Sequence, residues 1–176
     1  MRRGLNRKIR FLGAGLIPRL KGAGLMLKYN KNMAFWILLA MFFVILDRFF
    51  KFLAISGYFS KPISLVGDFL KLNFISNYNI AFSLPLGGFF LNFLIILIII
   101  ALLYELLFLA KREEWIKVAL LTFLIFGAIS NMLDRLRYGF VIDYLDLKYF
   151  TVFNIADVMI VGGVLWLVLI FYKKRN

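Results

Sequence analysis

The side chains that could do chemistry in this chain are few, and that narrows the options early. Its 176 residues include no histidine and no cysteine. Thiol nucleophiles, Ser-His and Cys-His pairs, disulfides and the usual zinc sites are therefore excluded. Hydrolytic chemistry would have to rest on carboxylates, lysine, serine, threonine or tyrosine. Only nine acidic residues are present, and several stand beside an asparagine or a base at helical spacing. Asp47 and Lys51 are four apart; Asn131 and Asp134 are three apart, followed by Arg135; Asn154 and Asp157 are three apart. Each pair shares one helical face. Asp143 lies in FVIDYLDL (140–147), an alternating, β-branched run that reads as a short strand presenting it. Asn77 opens NYNIAFS (77–83), where its amide could hold an extended peptide backbone.

Paired carboxylates suggest one reaction type. Two held close together share one proton, because like-charge repulsion raises one pKa, and burial pushes the same way. One acid then donates to a scissile carbonyl while the other carboxylate takes a proton from water. This is the chemistry of an aspartic peptidase, and it requires no metal or organic cofactor. Spacing alone does not choose among Asp47, Asp134, Asp143, Asp146 and Asp157. Each feature also has a plainer structural meaning. Asp47–Lys51 could anchor a helix end, Asn154 could be an N-cap over Asp157, and 77–83 could be an ordinary turn.

The elements that must position these residues are set by composition. Apolar residues make up 63% of the chain, 21 of them phenylalanine, and charged residues only 18%. A soluble domain carries about 45–50% apolar and about 25% charged residues. Here the apolar residues form blocks, so the solvent for most of the chain is lipid. Four segments are long enough for a bilayer, which needs about 20 residues. They span about 33–55, 87–110, 115–133 and 153–172. Small residues Gly127, Ala128 and Ser130, and Gly162-Gly163, would allow close helix contact. Glu105, near the end of the second span, would snorkel or pair.

The net charge of +13 is concentrated at the two ends and in the turn holding Lys111, Arg112 and Lys117. With four spans, all three basic clusters fall on one side, so both termini are expected to be cytoplasmic. Charge placed this way indicates topology and anionic lipid rather than nucleic acid. Residues 1–32 read as a basic cytoplasmic tail, with a membrane-surface helix or a start at Met26 or Met33 as alternatives; residues 173–176 form a basic cytoplasmic end. No small-residue cleavage site follows the first apolar run, which disfavours a secretory signal. Asp and Asn near the outer ends of spans cost several kcal/mol unless buried against partners, so they mark a functional site by default.

Over about 33–172, the chain resembles lipoprotein signal peptidase (signal peptidase II). The matching strings are LDRFFK (46–51), NYNIAFSL (77–84), SNMLDRLRYGFVIDYLDL (130–147) and FNIADVMIVGG (153–163). The resemblance implies an all-α membrane protein of four transmembrane helices with a small external β-like cradle, in a bacterial cytoplasmic membrane. It implies a catalytic dyad of Asp143 and Asp157 facing the periplasm or cell exterior. Asn77, Asn131, Asp134, Arg135, Asn154, Asp47 and Lys51 map onto supporting or substrate-binding positions, Asp134 organising its loop with Arg135. The implied substrate is a prolipoprotein whose cysteine already carries diacylglycerol, cut just before that cysteine by a monomer without cofactor.

Three departures stand out. Asn79 replaces the family's usual glycine, Ser130 stands where Gly precedes Asn, and the stretch from Asp143 to Asp157 is short. Asn tolerates positive φ better than most residues, so the turn at Asn79 could survive. The competing reading is a small ion-coupled transporter subunit, which would place charge near the bilayer midplane; a noncatalytic scaffold is a second.

Overall fold

A computed structural model describes residues 31–78 and 88–175; the expectations for residues 1–30 and for Asn79 lie outside them. The elements in chain order are α1 (Lys31–Ile55), β1 (Ile63–Val66), β2 (Leu70–Asn77), α2 (Phe89–Lys111), α3 (Trp115–Tyr138), β3 (Val141–Leu147), β4 (Val152–Phe153) and α4 (Ile155–Arg175). All four helices are long and apolar enough to cross a membrane. Their apolar blocks leave no polar stripe for water, and helical pairing satisfies their backbone within each segment.

Two expected boundaries move. Helix α3 continues past position 133 to Tyr138 and stops at Gly139, whose left-handed conformation (φ 81°) lets its N–H return to the Arg135 carbonyl. Asp134 and Arg135 therefore stand on the last helical turns and not in a loop. Phe153 belongs to β4, so α4 begins at Ile155.

α3 is the central helix: 56% of its apolar window is buried, against 11–17% for the other three. It packs on α1, α2 and α4, while the remaining apolar surface of those helices faces outward. Close approach to α4 depends on Gly127, where a Cβ would stand 2.6 Å from the Ala156 carbonyl oxygen. Gly163 serves the same contact further along, where a Cβ would stand 3.1 Å from the Leu120 carbonyl oxygen, whereas Gly162 faces open space. Glu105 is exposed on α2.

The strands form one antiparallel sheet in the order β1-β2-β3-β4. A cluster of Ala54, Phe59, Leu72, Ile142 and Tyr144 fastens it to the C-terminal end of α1. In the β2–β3 register Ile75 lies opposite Asp143 and Asn77 opposite Val141. Asn77 is thus the diagonal neighbour of Asp143, within reach of its side chain.

Candidate active site

The site grows from the first turn of α4. Asn154 caps that helix: its side-chain Oδ1 accepts from the Asp157 N–H at 2.9 Å, and its own N–H donates to Asp157 Oδ2 at 3.2 Å. The reciprocal pair is a capping box built from Asn and Asp at N-cap and N3. The Asn154 amide nitrogen turns the other way and donates to Asp143 Oδ1 at 2.6 Å. One residue therefore seats one carboxylate on the helix through its backbone N–H and grips the other on the strand through its side-chain amide.

Each carboxylate has a second amide. Asn77, the last residue of β2 and not part of a turn, donates to Asp143 Oδ2 at 2.8 Å. Asn131 of α3 donates to Asp157 Oδ1 at 2.7 Å. Asp143 is buried and Asp157 is half-buried. Burial above all, then the negative charge of Asp157, pushes the Asp143 carboxyl up to about 7; the Asn77 and Asn154 hydrogen bonds and the charge of Lys51 pull the other way. Arg135, half-buried on α3, stands where the charges of Asp157, Asp143 and Asp134 all act on it.

Behind the amides lies a buried ionic layer. Lys51 Nζ, fully buried, spends its three protons on Asp47 Oδ2 (2.9 Å), Asp134 Oδ2 (2.8 Å) and Asn131 Oδ1 (2.8 Å). The expected Asp47–Lys51 pair is thus part of a larger network. Asp134 also pairs with Arg48 of α1 and takes the Ile142 N–H at 3.4 Å. It joins the strand start to the α1 cations. Asn131 and Asp134, although on one face, divide their work: Asn131 reaches the carboxylate of α4, and Asp134 stays with the cations.

All nine residues singled out from sequence meet in this region. Three more were not singled out. Arg48 was hidden in a string read for its neighbours. Ser130 was read only as a small packing residue, yet its hydroxyl donates to Asp47 Oδ2 at 2.6 Å. Tyr144 reads as an ordinary strand residue, yet its hydroxyl donates to Asp47 Oδ1 at 3.1 Å and accepts from the Ile155 N–H at 3.3 Å. Burial and the Asp47 charge raise the Tyr144 phenol far above its ordinary value, so it remains a neutral hydroxyl. The signal available for Tyr144 was its place beside Asp143; for Ser130 it was a hydroxyl facing a span rich in ions.

Comparison with known proteins agrees with this architecture. The family model for signal peptidase II matches residues 39–173. The lipoprotein signal peptidase of Caldicellulosiruptor bescii is 34% identical over 81% of this chain and 93% of its own length. That of Syntrophomonas wolfei is 38% identical over 76% of this chain and 90% of its own. A bacterial membrane enzyme solved by the in meso method at 2.3 Å superposes with a TM-score of 0.70 at 25% identity, covering 81% of this chain and 90% of that one. A second such enzyme, at 1.9 Å, gives 0.65 at 26% identity over 80% and 94%. The transporter alternative finds no support in these matches. With its four spans, its small sheet and a matched region that takes in every residue of the site, the chain belongs to the signal peptidase II family.

Proposed function

We propose that this bacterial membrane peptidase removes the signal peptide from diacylglyceryl-modified prolipoproteins, cleaving before the lipid-bearing cysteine, with Asp143 and Asp157 as its catalytic pair. The observation that carries the reading is Asn154, whose side-chain amide donates to the Asp143 carboxylate and whose backbone N–H donates to the Asp157 carboxylate, so that one residue ties the two together. The relatives named as lipoprotein signal peptidases support the substrate class.

Asp143, whose carboxyl titrates near 7, carries the shared proton and gives it to the scissile carbonyl oxygen. Asp157 takes a proton from the attacking water. The tetrahedral diol then collapses: Asp157 gives its proton to the leaving amine, the peptide C–N bond breaks, and Asp143 takes a proton back from the diol hydroxyl as the carboxyl product forms. Asn77, at the end of a strand beside Asp143, is placed to hold the extended backbone of the substrate. Asn131 orients Asp157, and Asp47, Lys51 and Asp134 hold the helices in register around the pair.

The peptidase domain covers residues 33–172 and acts as a monomer in contact with membrane lipids. Residues 1–32 and 173–176 face the cytoplasm and the dyad faces the opposite side. The supporting observation is that the basic clusters at both ends and in the α2–α3 turn share a side in a four-span chain.

Asp143→Asn and Asp157→Asn should each lower turnover of a diacylglyceryl-modified lipobox peptide by at least about 10³-fold, with the protein still folded in detergent. Normal processing by either variant would remove the dyad assignment.

A further inference from the structure

The first three N–H groups of a helix have no partner within it. In α4 these belong to Ile155, Ala156 and Asp157, and each is met by a different side chain. Ile155 donates to the Tyr144 hydroxyl at 3.3 Å, Ala156 to Asp47 Oδ1 at 3.2 Å, and Asp157 to Asn154 Oδ1 at 2.9 Å. The Tyr144 hydroxyl and the Ala156 N–H converge on the same Asp47 oxygen. Tyr144 is fully buried, and its ring stacks on Phe50 of α1 at 5.4 Å between centroids and 18° between planes. Successive residues of β3 thus hold successive residues at the start of α4: Asp143 takes the Asn154 amide and Tyr144 takes the Ile155 N–H.

We propose that Tyr144 is a positioning residue for the reaction: its hydroxyl joins the α1 carboxylate to the first turn of α4 and thereby fixes Asp157 relative to Asp143. The inference rests on the dyad reading above. The hydroxyl touches neither carboxylate of the pair, so it acts through the helix start. The ring alone, packed on Phe50, is enough for the hydrophobic contact; the hydroxyl is what spans the two elements.

The test uses the purified full-length enzyme in detergent and a diacylglyceryl-modified lipobox peptide carrying a fluorophore and quencher. Tyr144→Phe keeps the ring and removes the oxygen. It should lower kcat about 10- to 100-fold, as expected for a sub-ångström to ångström misplacement of a reacting group, with KM changed less than about three-fold. The alkaline limb of the pH profile should also move down, because Asp157, no longer held close, raises the Asp143 carboxyl less. Ile155→Pro deletes the same hydrogen bond from the other side at a position where proline suits a helix start. It should reproduce the kcat loss and the pH shift, and the double variant should lose little more.

Ser130→Ala removes the other hydroxyl from Asp47 without touching α4. It should cost comparable thermal stability but much less kcat. The inference falls if Tyr144→Phe stays within about two-fold of the parent in kcat with an unmoved pH profile. It also falls if Ser130→Ala matches its kcat loss at equal loss of stability. Asp157→Asn run alongside separates the two readings. If that variant turns over normally, the dyad reading itself fails. If it is inactive while Tyr144→Phe is normal, only the role of Tyr144 fails.

Discussion

Two pairs of aspartates lie within one polar region and are treated in opposite ways. Asp47 and Asp134, on α1 and α3, meet cations directly, sharing Lys51, with Arg48 added on Asp134. Asp143 and Asp157, on β3 and α4, are gripped by neutral amides from Asn77, Asn131 and Asn154. Lys51 stands one amide away from the second pair, joined to it through Asn131. A carboxylate bonded to a buried ammonium depends on it, and removing the partner leaves an uncompensated buried charge. A carboxylate bonded to amides can gain or lose a proton without breaking an ion pair. On the proposed function, the first pair holds the helices together and the second exchanges protons.

The contrast is most severely tested by taking away the shared cation. Lys51→Met leaves Asp47 buried without a cation and Asp134 with Arg48 alone, and should cost about 3–5 kcal/mol of stability, read as a large fall in melting temperature in detergent. A variant as stable as the parent would break the distinction. Next in size is a pH effect on the proton-exchanging pair. The Asp143 carboxyl stands near 7 when folded against 3.8 as its ordinary value. Its folded state therefore holds the proton more tightly, and this contribution to stability is complete below about pH 4 and lost as pH rises towards 7. Asp143→Asn should be free of that loss, so its melting temperature should gain on the parent's between pH 4 and pH 8. Parallel curves would place the titration elsewhere. The smallest change concerns one amide. Asn77→Ala removes a hydrogen bond that favours the ionised form, so the alkaline limb of the activity profile should move up, by up to about one pH unit. A downward shift would show that Asn77 acts on something other than the Asp143 carboxylate.

Features encoded locally were legible in the sequence. Apolar blocks gave four membrane-crossing helices, and the i,i+3 and i,i+4 spacings gave Asn154 over Asp157 and Asp47 with Lys51. Alternation gave the strand at FVIDYLDL. What spacing could not give were partners more than 80 residues apart, such as Ser130 and Asp47, Tyr144 and Asp47, or Arg48 and Asp134. Two residues on one helical face can serve different neighbours, as Asn131 and Asp134 do, and only the packing of α3 between α1 and α4 decides which. Physical reasoning left five candidate aspartates; the family's motifs reduced them to two. The other three have their own partners: Asp47 and Asp134 pair with cations, and Asp146 takes the Asn73 amide further along the sheet.

The ion pair inside α1 also bears on how the chain is made. A membrane protein's spans leave the ribosome and enter the bilayer in order, and a lone charge at that moment is opposed by several kcal/mol. Asp47 and Lys51 are one turn apart on the same helix, so α1 can enter lipid with those two charges already neutralising each other. Asp134 arrives much later in synthesis, and by then Arg48 and Lys51 are in place to receive it. The order of the spans thus delivers Asp134 to a membrane that already holds its two counter-ions.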